Sequence, residues 1–362
     1  MMAFAMPKWG WLALFLLGLL IFLFSISSIL LPFIAGLAIA YLLDPVADAM
    51  ERRRVPRWLA ASIAIVGFFL ILAGVLVAIW PLVASQISGL VKTLPDYMVR
   101  LKPLLAHLLD QASPEDIKQA VSQFAGRALE VAASAAGTLI GGGLAVFNIL
   151  GLLLITPVVA FYLLRDWDRL IGHVRSWLPA RYEDSLLELG RESDRVLAGF
   201  VRGQMLVVLG DMVLYAAGWT LLGLNYGLVL GLLAGFLAFI PYAGPAIGVG
   251  LAMVVAIGQF GDNYLMIAAV FSVLLVVQTM ESAVFQPRFL GGQVGLHPVW
   301  VILAVFAGGK LMGFVGILVA VPVAAVVAVL GRFALNRYLH SDLYGKPLPA
   351  AELPGQGEDQ PR

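Results

Sequence analysis

GLVLGLLAGFLAFIPYAGPAIGVGLAMVVAIG (227–258), preceded by LVVLGDMVLYAAGW (206–219) and followed by LLVVQTMESAVF (274–285), decides the fold class. The two flanking runs each hold one carboxylate, Asp211 or Glu281, among residues that leave no water beside it. A charged side chain at the centre of a bilayer costs about 2.5–3.5 kcal/mol on insertion scales, so such groups mark pathways, pairs or proton relays. The chain reads as an all-α polytopic membrane protein that moves something across the bilayer.

Composition agrees. Apolar residues make up 61% of the 362 positions and charged residues 12%, and mean hydropathy is +0.95, far from the roughly quarter-charged soluble norm. Runs of 18 or more apolar residues span a ~30 Å hydrocarbon core, so length here counts helices rather than domains. A net charge of +1 offers no basic surface for nucleic acid. With zero cysteines there is no disulfide, thiol nucleophile or Cys-based metal site. Neither a cofactor nor a metal is expected. Lys8 and the run after it mimic a signal peptide, but that run continues to Leu43 without a cleavage site and is read as an anchor.

Working outward, 9–82 reads as three N-terminal membrane helices: 9–24 and 29–43 as a hairpin around Pro32, then 58–82. The basic stretch 44–57, with Arg52, Arg53, Arg54 and Arg57, reads as a cytoplasmic loop. Residues 83–137 carry charges at helical intervals and read as an amphipathic helical subdomain outside the membrane. Within 138–202, a fourth helix broken at Thr156-Pro157 leads into an arginine-rich polar segment, the strongest inside signal in the chain. Residues 203–337 form the expected transport core, and 338–362 an expected disordered tail. Both termini are placed in the cytoplasm.

The core contains two segments too long for one span, 227–258 and 298–331, interrupted at Pro241, Gly244 and Pro245 and at Gly308, Gly309 and Lys310 through Gly313 and Gly316. Proline lacks an N–H and clashes with the preceding turn. Two topologies satisfy the charge bias: both segments span, giving eight crossings, or both are re-entrant hairpins entering from opposite sides, giving six. The hairpins are preferred, because the breaks are central and each half would be ~20 Å long. Asp211 precedes Pro241 by 30 residues and Glu281 precedes Gly309 by 28, a faint duplication of the paired, interrupted kind that points to a transporter's midplane site.

Candidate pathway residues follow. Gln204, Asp211 and Tyr215 share one helical face at i, i+7 and i+11; Gln278 and Glu281, with Ser282, form a second polar stripe. Asp211 either takes part in transport or is a structural pair member, and Glu281 pairs with Arg288 if it lies at the interface. Lys310 is a counter-ion for either carboxylate, a solute contact, or a snorkelling side chain. The backbone at 241–245 and 308–313 would offer carbonyl and N–H groups to a polar solute or ion. Gly227/Gly231/Gly235, Gly244/Gly248 and Gly309/Gly313 permit close helix packing. Intramembrane protease motifs, a P-loop and a nucleotide-binding signature are absent, so any driving force comes from an ion or solute gradient.

PFIAGLAIAYLLDPVADAMERRRVPR (32–57), TPVVAFYLLRDWDR (156–169), LGLNYGLVLGLLAGFLAFIPYAGPAIG (222–248) and QPRFLGGQVGLHPVWVILAVFAGGKLMGFVGILVAVPVAA (286–325) closely resemble the autoinducer-2 exporter family of bacterial permease-like proteins. The resemblance runs in matching order from about residue 10 to 340. It implies an inner-membrane protein of about eight segments and a homo-oligomer, with a pentamer as one option. Its implied cargo is the furanosyl signal autoinducer-2, or, as in other members, sodium exchanged for protons. By position, the family's Pro-Gly turn falls on Pro241, Gly244 and Pro245, its Gln-x-x-Glu on Gln278 and Glu281, and its Gly-Gly turn on Gly308 and Gly309. Where the family commonly has Asn after the carboxylate, this chain has Ser282. The alternatives are a cation/proton antiporter and a non-transporting scaffold that uses 83–137 as its surface.

Overall fold

The computed structural model describes residues 18, 29–110, 143–180, 182–241, 243–290 and 296–340. Among them every regular element is helical, and five helices are long and apolar enough to cross a membrane. The expected helix at 9–24, the stretch 111–137 of the expected subdomain, Tyr242 and the tail from 341 lie outside the described residues.

Helix α1 spans Leu31–Glu51 and α2 Arg57–Asp110. The stretch 44–57 is therefore not all loop. The helix runs on to Glu51, and only Arg52–Arg54 turn, with Arg54 at φ 68°. Pro45 sits inside α1 and cannot donate to the Tyr41 carbonyl one turn back. Arg202 Nε donates to that carbonyl instead, at 2.7 Å. Helix α2 passes 82/83 without interruption; its 54 residues make about 80 Å of helix. Its middle turns large apolar side chains outward, with Leu70, Ile71 and Val77 each about two-thirds or more exposed, a surface suited to lipid.

Helix α3 (Gly143–Ser176) contains Pro157 and packs on α1, where a Cβ on Gly36 would meet Val159 Cγ1 at 2.8 Å. Helix α4 covers Glu183–Leu221, so the polar segment expected to precede the crossing and the crossing itself are one helix. Where α1, α2, α3 and α4 meet, Arg57 gathers Asp44 (2.8 Å), Asp48 (2.5 Å) and Glu51 (3.2 Å) and donates from Nε to the Leu164 carbonyl. Arg202 takes the other oxygen of Asp44 at 3.2 Å, and Tyr41 donates to Asp194 at 2.8 Å. Arg57→Gln would leave three carboxylates facing one another. We expect it to cost about 2 kcal/mol, whereas Arg195→Gln, whose single partner Glu192 sits at the surface, should leave stability unchanged. Thermal unfolding of the two variants in detergent measures the difference.

The first long segment is broken as expected: α5 ends at Leu237 and α6 runs Ala243–Phe260. The two arms form a tight hairpin. A Cβ on Gly248 would fall on Ala234, and one on Gly244 on the Leu237 carbonyl. At ~1.5 Å per residue the arms are about 16 and 27 Å long rather than equal. The hairpin opens at the C-terminal end of α4: Gly227 lies against the Trp219 and Thr220 backbone, and Gln259 donates to the Gly223 carbonyl at 2.8 Å. Its tip reaches back to Gln204, whose Nε2 donates to the Ala238 carbonyl at 3.3 Å.

Helix α7 (Tyr264–Met280) continues as a π-helical stretch, Glu281–Leu290. The last segment, α8 (Pro298–Leu339), folds back at Gly313, whose φ of 60° and ψ of −138° suit glycine alone. The expected turn at Gly308–Gly309 is corrected by this placement. Those two residues are helical, and Gly308 is instead where the arms meet, its backbone against that of Gly316. The open end of this second hairpin lies on the N-terminal half of α4, where Leu296 packs against Val196, Ala325 and Val329. The two hairpins therefore open at opposite ends of α4, at Val196 and at Trp219, about 35 Å apart along the helix.

Candidate functional site

Between those openings lies the polar face of α4. Gln204 is 8% exposed, and Asp211 and Tyr215 are 0% exposed, as the 3.6-residue period requires of three residues on one stripe turned inward. Tyr215 stacks on Trp219 with ring centroids 5.0 Å apart, and Trp219 Nε1 donates to the Val270 carbonyl at 3.1 Å, fixing α4 against α7. On the other side Gly231 and Gly235 of α5 touch the α4 backbone so closely that an added Cβ would fall on Ala216 and Met212. Small residues thus let α5 close over the stripe.

The π-helical stretch supplies the third wall. Phe285 lies over Gly210, where a Cβ would meet its ring at 2.7 Å, and Glu281 lies close enough to Asp211 to act on it electrostatically. Glu281 accepts from Gln278 Nε2 at 3.3 Å and from Gln286 Nε2 at 3.1 Å. It is not paired with Arg288. Ser282, the departure from the family pattern, donates to the Gln278 carbonyl at 2.8 Å, a local bond within the helix. A π-turn shifts the register of every later side chain, and such turns recur at functional positions.

Among the described residues both Asp211 carboxylate oxygens and the Tyr215 hydroxyl are buried with no hydrogen-bond partner within the geometric limits of a bond, although Gln278 lies close enough to act on the Tyr215 hydroxyl. A buried carboxylate left without a donor needs a proton, a cation or a ligand donor. The site is thus chemically incomplete by itself. Lys310 does not complete it: the side chain is exposed, with no ion pair among the described residues. Gly308 and Gly309 belong to the crossing of the second hairpin's arms, Pro241 to the tip of the first, and Gly244 and Pro245 to the start of α6. The structure therefore brings together Gln204, Asp211, Tyr215, Gln278, Glu281 and the first hairpin tip.

Sequence reasoning missed Phe285, the π-turn and the Asp44 hub. A carboxylate at the end of an apolar run, followed by a helix-interior proline, was the available signal for the hub. That hub borders a cavity of about 590 Å³ lined by Tyr41, Asp44, Arg57, Trp167, Asp194 and Arg202. Beside it Arg165 hydrogen-bonds Asp166 and holds that carboxyl below the ordinary carboxylate range. Among the described residues no group of three or more His, Asp or Glu side chains is placed to hold a metal ion.

These features coincide with a known sequence family. The family described as AI-2E family transporter matches residues 11–335. The chain is 30% identical over 310 residues to YrrI of Bacillus subtilis, covering 84% of this chain and 86% of that one. It is 27% identical over 317 residues to YueF of the same organism, covering 84% of each; both names call them transport proteins. It is also 27% identical over 313 residues to the AI-2 transport protein TqsA of Escherichia coli, covering 84% of this chain and 85% of that one. A helical membrane chain with an unpaired intramembrane carboxylate between two hairpins, matched over nearly its whole length, belongs to the AI-2E family of transporters.

Proposed function

We propose that this chain is a secondary transporter in which a small polar solute passes along the α4 stripe and is held at Asp211 between the first hairpin tip and the π-helical stretch. The observation that carries the reading is the fully buried Asp211–Tyr215 pair, with three polar atoms lacking partners. A solute with hydroxyl or ammonium donors would satisfy them. Autoinducer-2 or a related metabolite is the first solute to try, since one relative is named for AI-2 transport. The second reading, sodium/proton antiport, draws on the proximity of Glu281 to Asp211, two acids able to share one cation. Reconstituted flux with a solute panel, with and without a proton or sodium gradient, tests both. Movement of no solute and no ion in any arm would leave a scaffold.

The proposed setting is the bacterial inner membrane, with both termini cytoplasmic and several copies of the chain assembled together. The opposed open ends of the hairpins favour re-entry from opposite sides, since an arm of about 16 Å is too short for a ~30 Å core. The cysteine-free parent makes the check direct. Cysteine introduced at Asp262 is expected to react only with external reagent, and cysteine at Gln293 only with internal reagent. The reverse pattern would mean that both segments span.

A further inference from the structure

A second groove, of about 520 Å³, opens between the polar half of α4 and the outer arm of α8. Its floor is apolar: Val329 is buried, and Leu189 packs beside it. Its lip carries Arg191 from α4 and Arg332 from α8, both exposed and both without an ion pair or hydrogen bond among the described residues. Arg195, on the same lip, is already held by Glu192 at 2.8 Å. Glu188 contributes one further carboxylate, so the two unpaired guanidiniums leave one positive charge in excess.

An arginine stays charged and presents a planar fork of donors that matches two oxygens of a phosphate. Two such forks from different helices, above an apolar floor, suit a ligand with an anionic head and a hydrocarbon body. A free anion would leave the floor unused. The groove also lies just beyond Val196, where buried apolar residues of α4 begin and the second hairpin opens. Arg332 directly follows the apolar run of α8, and basic grooves between helices at the ends of such runs take lipid headgroups. We propose that Arg191 and Arg332 bind the phosphodiester of a membrane phospholipid, with its acyl chains along Leu189, Val329 and Phe333, tying the outer arm of the second hairpin to α4. The proposal rests on the membrane placement of α4 and not on which solute is carried.

Full-length protein, stripped of lipid and reloaded in detergent, is compared by native mass spectrometry with three probes. They are dioleoyl phosphatidylglycerol, dioleoylglycerol lacking the phosphate, and glycerophosphoglycerol lacking the chains. Retention of the phospholipid alone is expected. Arg191→Gln with Arg332→Gln should weaken it about thirtyfold, whereas Arg175→Gln, paired with Glu183 elsewhere on the same end, should leave it unchanged. Circular dichroism and a parental flux rate would verify that the double variant is folded. Equal retention by the double variant overturns the proposal. So does equal binding of dioleoylglycerol, which would make the groove merely apolar, or of glycerophosphoglycerol, which would make it a free-anion site. Phospholipid binding that appears only after deletion of 341–362 overturns it as well, because the chain's own acidic residues would then be the occupant.

Discussion

Asp211→Asn is expected to insert, assemble and unfold at the parental temperature or above it, and to lose transport by at least about tenfold, the effect of ~1.4 kcal/mol on a rate-limiting step. The amide keeps the size of the side chain but removes both the charge and the exchangeable proton. In the structure neither carboxylate oxygen has a donor, so no native hydrogen bond is lost and stability has little reason to fall. Tyr215→Phe is a companion, since its hydroxyl likewise meets no partner within the geometric limits of a bond among the described residues; it should be nearly neutral in stability and lower flux if the hydroxyl touches the solute. Flux in proteoliposomes and thermal unfolding on the same preparations separate the two effects. A parental rate for Asp211→Asn across pH 6–8 would reduce Asp211 to a buried structural acid.

Gly231→Ala combined with Gly235→Ala should fail for the opposite reason, by losing the fold around the site. Each added methyl falls on the α4 backbone, at Ala216 and Met212, and backbone cannot rotate away as a side-chain tip can. Overpacking in a close-packed interior costs typically 1–3 kcal/mol per site, so the pair should lose about 2–6 kcal/mol and separate α5 from α4. Gly250→Ala, where a Cβ meets nothing within 4 Å, is the control and should be neutral or slightly stabilising. The measurements are yield of monodisperse protein and the thermal midpoint in detergent. A double variant as stable as the Gly250 control would show that the α4–α5 seam is looser than its geometry.

Much of this organisation is written locally. The helical class follows from run length and from the cost of unsatisfied backbone in hydrocarbon. The stripe of Gln204, Asp211 and Tyr215 follows from the helical period, and all three are buried. The first break follows from two prolines and a glycine within five residues. The second break was harder, because Gly308, Gly309, Gly313 and Gly316 are all conformationally permissive. Which of them turns is chosen by the antiparallel contact of Gly308 with Gly316, and that leaves Gly313 as the bend.

Chain-distant contacts decided the rest. Arg57 and Arg202 read as inside-pointing charges, yet they converge on Asp44 because Pro45 frees the Tyr41 carbonyl and α4 brings Arg202 to it. Phe285 looks like any apolar residue until the π-turn lays it on Gly210. The chain by itself determined where helices form and which faces are polar, since propensity, period and proline act over a few residues. The sequence left two topologies open and preferred hairpins entering from opposite sides; only the tertiary structure shows the arms folded back and opening at opposite ends of α4, because that rests on Gly227 meeting Trp219 and Leu296 meeting Val329, close-packed contacts that no single run of residues specifies.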